Sequence, residues 1–252
     1  MQFGKSVYLV AIMSSALSAH AVDLGHIAIS NPPTGKGGTF GGFLNGFGPV
    51  GGFAGLLNFS EVDLTNPANS LGQIVGFCGD VTASFPPPNN WDVNIYDPAS
   101  LFGNANVTAA GNMVANVANA LGGNLTLLTD RQAFALQIDV WEAIYDGPSE
   151  LLPDFLGGTF SVTGEAIPNG TLTPLSAATI ADADAFWAFR NVSAPAVFLD
   201  AEGNNGLPPF GQNLLTVRGG GTHIFTPEPV TSSLSIAAVC MFVRRRKKQK
   251  SS

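Results

Sequence analysis

Residues 129–146 read TDRQAFALQIDVWEAIYD, and this stretch decides the fold. Thr129, followed three residues later by Gln132, is the capping-box signature of a helix start. Asp130 falls in the first turn, where the helix dipole favours an anion. Gly147-Pro148 stops the run. Between these ends Phe134, Ile138, Trp141 and Tyr145 recur at helical spacing and form one apolar stripe. Gln137 lies three residues after Phe134 and four before Trp141, so it faces the same stripe. A buried amide without partners costs free energy. Gln137 is therefore either bonded to a neighbouring segment at the stripe's edge or put to chemical use.

Strand patterns surround this helix. Ile74 to Phe85 (IVGFCGDVTASF) reads as a strand ended by Pro86-Pro87-Pro88. Trp91–Tyr96, Phe160–Val162, Ala196–Asp200 and Asn213–Arg218 read likewise. Two more helices are expected, Ala110–Leu121 before Gly122-Gly123, and Ser176–Arg190 with Ile180, Phe186, Trp187 and Phe189 buried. Residues 37–59 are glycine-rich with regular Phe and Leu, and are expected to form loops with short buried strands. No repeat is strict enough for a solenoid. The expected class is mixed α+β, a β-sandwich or barrel part with a packed helical subdomain.

Composition narrows the function. The chain has 252 residues and a net charge of −7, with only 12% charged residues, about half the usual quarter. An acidic chain lacks the basic footprint of a nucleic-acid binder, so no nucleic-acid partner is read. Two cysteines build neither a disulfide-rich scaffold nor a four-cysteine zinc site. His20, His26 and His223 are far apart and show no ligand spacing. No metal or cofactor site is read. Asp200, Glu202, Asn204 and Asn205 offer oxygen ligands, but their spacing does not match an EF-hand loop. There is no G-x-S-x-G elbow and no histidine placed for a triad, which argues against a hydrolase.

The two ends read as targeting signals. Residues 1–21 have Lys5, an apolar stretch from Ser6 to Leu17, and the small-x-small form Ala19-His20-Ala21, the pattern of a cleaved secretory signal peptide. That apolar stretch is too short to span a bilayer. Residues 227–252 begin with Pro227-Glu228-Pro229 and an uncharged stretch from Val230 to Val243. Arg244, Arg245, Arg246, Lys247, Lys248 and Lys250 follow. As a helix the uncharged stretch reaches about 21 Å, against a hydrocarbon core of about 30 Å. Its basic flank is held cytoplasmic by the positive-inside rule. Between the two signals, residues 22–229 hold four basic residues (Lys36, Arg131, Arg190, Arg218) against all 18 acidic ones, a net charge of −14.

The tail resembles the PEP-CTERM sorting signal of Gram-negative bacteria, with a helix shorter and more polar than that family's usual Leu/Gly-rich one. The resemblance implies export across the inner membrane, transient membrane contact through the tail, and processing near Pro227-Glu228-Pro229 by an exosortase. The protein would then reach the cell surface or the matrix, where such proteins accompany exopolysaccharide. A plain tail anchor is the alternative.

Once the tail leaves with Cys240, the segment 22–226 holds one cysteine, Cys78, which is unusual in a secreted protein. A buried apolar thiol or an intermolecular disulfide would account for it simply. Phe77-Cys78-Gly79-Asp80, with Leu136-Gln137-Ile138-Asp139-Val140-Trp141 59 residues on, resembles the thioester domain of bacterial surface adhesins. The likeness gives a core of about 60–218. It implies an internal thioester between Cys78 and Gln137 that captures an amine or hydroxyl of a surface protein or polysaccharide, in one acyl transfer without turnover. It also implies a fold with a β-sandwich or barrel part and a helical part. Phe77, Phe134 and Trp141 are candidates to exclude water. Asp80 and Asp139 read first as surface carboxylates, and as groups to orient the amide or a proton in the sharper reading. A non-covalent binding protein for exopolysaccharide is the competing expectation.

Overall fold

Glycine-rich sequence forms the two longest strands among the described residues. These residues are 23–62, 70–82, 91–96, 105–168, 170–200 and 213–217 of a computed structural model. The signal-peptide reading with Ala19 and Ala21, the sorting tail 227–252, and Glu202, Asn204 and Asn205 lie outside them.

Strands β1 (Asp23–Leu44) and β2 (Gly48–Val62) pair antiparallel from Ala28↔Val62 to Leu44↔Gly48. Gly46, at φ +82°, makes the turn, and Phe47 N–H donates to Leu44 O. Residues 37–59 are therefore a long hairpin, not the loops with short strands expected from composition. The reason is close approach: Gly37 stands opposite Gly55, and a Cβ on either would fall on a facing carbonyl oxygen, Ala54 O or Lys36 O. Glycine is required there by strand packing and not by loop formation.

The sheet continues through β3 (Ser70–Cys78), β4 (Trp91–Tyr96), β5 (Phe160–Ala166), β6 (Val197–Asp200) and β7 (Leu214–Thr216), all antiparallel to their partners. The pairing order β1-β2-β3-β7-β6-β4 returns to β1, so six strands close into a barrel. Strand β5 joins β1 over Thr39–Leu44, beyond the stretch that β4 occupies. Closure satisfies both edges of these strands. The hairpin 23–62 is integral to this sheet, so the folded unit starts before the stretch of about 60–218 read as its core.

Three helices pack as one group, with α1 and α2 on the strands and α3 against α2: α1 (Ala105–Ala120), α2 (Asp130–Tyr145) and α3 (Ala177–Trp187). The class is mixed α+β. Helix α2 is central, packing on β1, β2, β3 and β5 and holding α1 and α3 at its flanks. Trp141 lies against Phe40 of β1 and Phe160 of β5, with ring centroids 4.9 and 5.7 Å apart. Strand alternation then turns Ala54, Leu56 and Phe77 to the same side as Phe40, and all are buried. Leu57, Phe59 and Ile74 take the opposite side and are also buried, as a barrel interior requires.

The elements differ from the expected ones mainly at their ends. Helix α1 begins at Ala105 instead of Ala110, because Asn106 Nδ2 donates to Ile144 O and ties the extra turn to α2. Helix α3 starts after its cap Ser176 but ends at Trp187, short of Arg190. Its inner stripe is Thr179, Ala183 and Trp187, so Ile180 is 40% exposed and not buried, and Phe186 and Phe189 are only half-buried. Strand β3 ends at Cys78 instead of running on to Phe85. Beyond Gly79, Asp80 Oδ1 accepts from both Thr82 N–H and Thr82 Oγ1, and the chain turns out of the ladder.

Candidate functional site

Helix α2 starts as its sequence dictates. Thr129 Oγ1 accepts from Gln132 N–H, and Gln132 Oε1 accepts from Thr129 N–H, the complete capping box. Lys36 of β1 donates to Thr126 O (2.7 Å) and Leu128 O (2.9 Å), while Gly37 N–H donates to Asp130 Oδ1. These contacts set where the helix enters the sheet, and hence where Gln137 falls two turns later.

Gln137 falls on Cys78. Cys78 N–H donates to Gln137 Oε1 at 2.8 Å, and Gln137 Nε2 donates to Cys78 O at 2.8 Å. The side-chain amide exchanges both bonds with one backbone residue, as a paired strand residue would. The position is open to it because the β2–β3 ladder ends at Leu56↔Phe77, one pair short of Cys78. On the other edge Cys78 pairs with Leu214, and Gly79 N–H donates to Asn213 O at 2.6 Å. Cys78 is 3% exposed and Gln137 0%. The Sγ atom is three covalent bonds from the nitrogen that touches Oε1, and both residues are shielded from water.

Burial, and then the negative charge of Asp80, push the Cys78 thiol well above its ordinary range. The resting group is a neutral thiol, which is a weak nucleophile until a base takes its proton.

The other site residues named from sequence divide into two sets. Phe77, Phe134 and Trp141 are fully or almost fully buried around the pair's two elements, which keeps water out. Asp80, half-buried, sits two residues past Cys78. Its Oδ1 accepts from Tyr145 Oη at 3.0 Å, and Tyr145 Oη in turn accepts from Val81 N–H at 3.2 Å. Asp139 belongs elsewhere. Successive helical residues turn about 100°, so Asp139 is about 200° round α2 from Gln137. Its carboxyl is completely buried, with neither oxygen partnered among the described residues. Burial first, and then Glu142 and Asp184, push it well above the usual carboxylate range. Neither Asp139 nor Asp80 is the open surface carboxylate that composition suggests.

Two residues of consequence were absent from the sequence reading of the site. Tyr145 counted only as the end of the apolar stripe; its hydroxyl, two turns from Gln137 on the same face, was the available signal. Glu142 is buried, with Oε1 accepting from Asp154 N–H at 2.9 Å. Burial pushes its carboxyl up to about 8 against that hydrogen bond, with Asp146, Asp154 and Glu150 adding to the rise.

Among the described residues no group of three or more His, Cys, Asp or Glu side chains is arranged to hold a metal ion. Among the same residues no helix is long and apolar enough to cross a membrane. No protein-family model matches the sequence, and no curated protein and no solved structure is significantly similar to it.

Proposed function

We propose that the chain is an exported surface or matrix protein that captures a partner covalently through an internal thioester between Cys78 and Gln137. The observation that carries this reading is the reciprocal pair of hydrogen bonds between the Gln137 amide and the backbone of Cys78. A glutamine docked only for stability needs no cysteine beneath it. Here the partner residue is the sole cysteine of the segment between the two targeting signals. The thiol attacks the Gln137 side-chain carbonyl and ammonia leaves. A target amine or hydroxyl then attacks the thioester, becomes joined to Gln137, and releases the Cys78 thiol. This is one acyl transfer per molecule and no enzymatic turnover. Export by a signal peptide over residues 1–21 and exosortase processing at Pro227-Glu228-Pro229, ahead of Arg244, Arg245 and Arg246, would deliver it to the surface of a Gram-negative cell.

Intact mass of the freshly secreted protein tests the chemistry. The expected species is lighter by one ammonia, and Cys78→Ala has the full mass. Full mass in the unmutated protein rejects the thioester. A second reading, a non-covalent exopolysaccharide-associated protein, draws on the exposed Phe43, Phe47 and Phe53 of the hairpin. Full mass together with retention on the native polysaccharide would favour it.

A further inference from the structure

The end of β3 is held to α2 at two points, and the Cys78–Gln137 pair is only the first. The second is the Asp80–Tyr145 contact, eight residues further along α2. Tyr145 Oη donates to Asp80 Oδ1 at 3.0 Å and accepts from Val81 N–H at 3.2 Å. The same carboxylate oxygen accepts from Thr82 N–H and Thr82 Oγ1, each at 2.8 Å. Three donors on one oxygen fix the carboxylate's orientation two residues past Cys78. The Tyr145 ring is itself held against Phe160, with centroids 6.2 Å apart.

The acyl chemistry at this site needs a proton carrier. Thioester formation takes a proton off sulfur and adds one to the departing nitrogen. Neither transfer goes easily through solvent at a pair so fully buried. The sequence from Cys78 to Val217 contains no histidine, and Asp80 is the ionisable side chain nearest to Cys78 along it.

We propose that Asp80 is the proton carrier of the Cys78–Gln137 acyl transfer and that Tyr145 is its positioning residue. The proposal rests on the thioester reading. In formation, Asp80 takes the Sγ proton, sulfur bonds to the Gln137 Cδ carbon, the Cδ–Nε2 bond breaks, and Asp80 returns the proton as ammonia leaves. In capture, the attacking amine bonds to Cδ and gives its surplus proton to Asp80. The C–S bond then breaks, and the sulfur takes that proton to become the thiol again. The carboxylate is regenerated each time and no oxidant or reductant is consumed. Burial first, and then the negative charge of Asp80, strengthen the thiol's hold on its proton, so this carboxylate acts electrostatically on the thiol.

The test follows intact mass and the rate of methylamine capture in the full secreted chain. The unmutated protein is expected one ammonia lighter. Asp80→Asn is expected to slow capture about a hundredfold, the low end of what a positioned proton carrier supplies. Asp80→Glu restores most of the rate. Tyr145→Phe, which keeps the ring against Phe160, slows capture by about tenfold through the unfixed carboxylate. In Asp80→Ala, added formate is expected to speed capture, a response that a purely structural carboxylate would not give. An unmutated protein of full mass overturns the thioester reading and this proposal together. Ammonia loss in the unmutated protein, with Asp80→Asn capturing at the unmutated rate or Asp80→Ala unmoved by formate, overturns this proposal alone.

Discussion

Asp139 and Glu142 are one helical turn apart on α2, both buried, and both with carboxyls pushed above their ordinary range. The consequence for stability has a definite sign. A carboxyl whose folded pKa lies above its unfolded value is held protonated by the native state. Its contribution is complete below about pH 4, the unfolded range, and fades as pH rises through the folded value. For Glu142 that window closes at about 8. Asp139→Asn mimics the protonated side chain and cannot ionise. Its melting temperature is expected to exceed that of the unmutated protein at pH 8 by several degrees, at about 2–4 °C per kcal/mol for a domain of this size. The difference should close towards pH 4. A constant difference across this range, followed by calorimetry, contradicts the account. Burial of these two acids was hidden in the sequence, because Asp and Glu are the side chains least expected inside. Their position depends on α3, which covers the side of α2 away from the sheet and brings Asp184 near Asp139.

Helix α2 is the element most completely written in local sequence. Its start, cap and first-turn acid lie within the quoted stretch, its stop at Gly147 follows directly, and the structure keeps each of them. Thr129→Ala removes the acceptor for Gln132 N–H and is expected to cost about 1 kcal/mol, read as a lower denaturant midpoint with an unchanged slope. The boundaries of α1 and β3 were less legible. The first turn of α1 depends on Asn106 reaching Ile144, and the end of β3 on Asp80 turning the chain back through Thr82. Both are contacts or turns that compete with intrinsic propensity. The burial stripe of α3 departs from the expected one at Ile180, since a short helix rich in alanine shows no strong periodicity of its own.

At the scale of the molecule, the β1–β2 seam closes the barrel and also supplies the surface on which α2 rests. Gly37 and Gly55 face each other in this seam at φ +151° and +153°, a conformation that suits glycine alone. Gly55→Ala is expected to lose the seam and with it the cooperative unfolding transition, by several kcal/mol through strain and a clash with Lys36 O. Gly46→Ala, at the open turn where a Cβ meets nothing, should keep the fold with a smaller loss from its positive φ. Equal losses at the two sites, measured by thermal melts, would show that close approach is not the constraint.

The sequence alone determined the mixed α+β class, the helix that carries Gln137, and a Cys78 that stands alone between residues 22 and 226. All of these rest on local periodicity, capping chemistry and counting. Only the tertiary structure decided that the Gln137 amide meets the Cys78 backbone across 59 residues and that Tyr145 clasps Asp80 beside them. It also decided that the glycine-rich stretch is a barrel seam. Each of these depends on which strand lies beside which and where a helix comes to rest, and those outcomes are set by packing over the whole core.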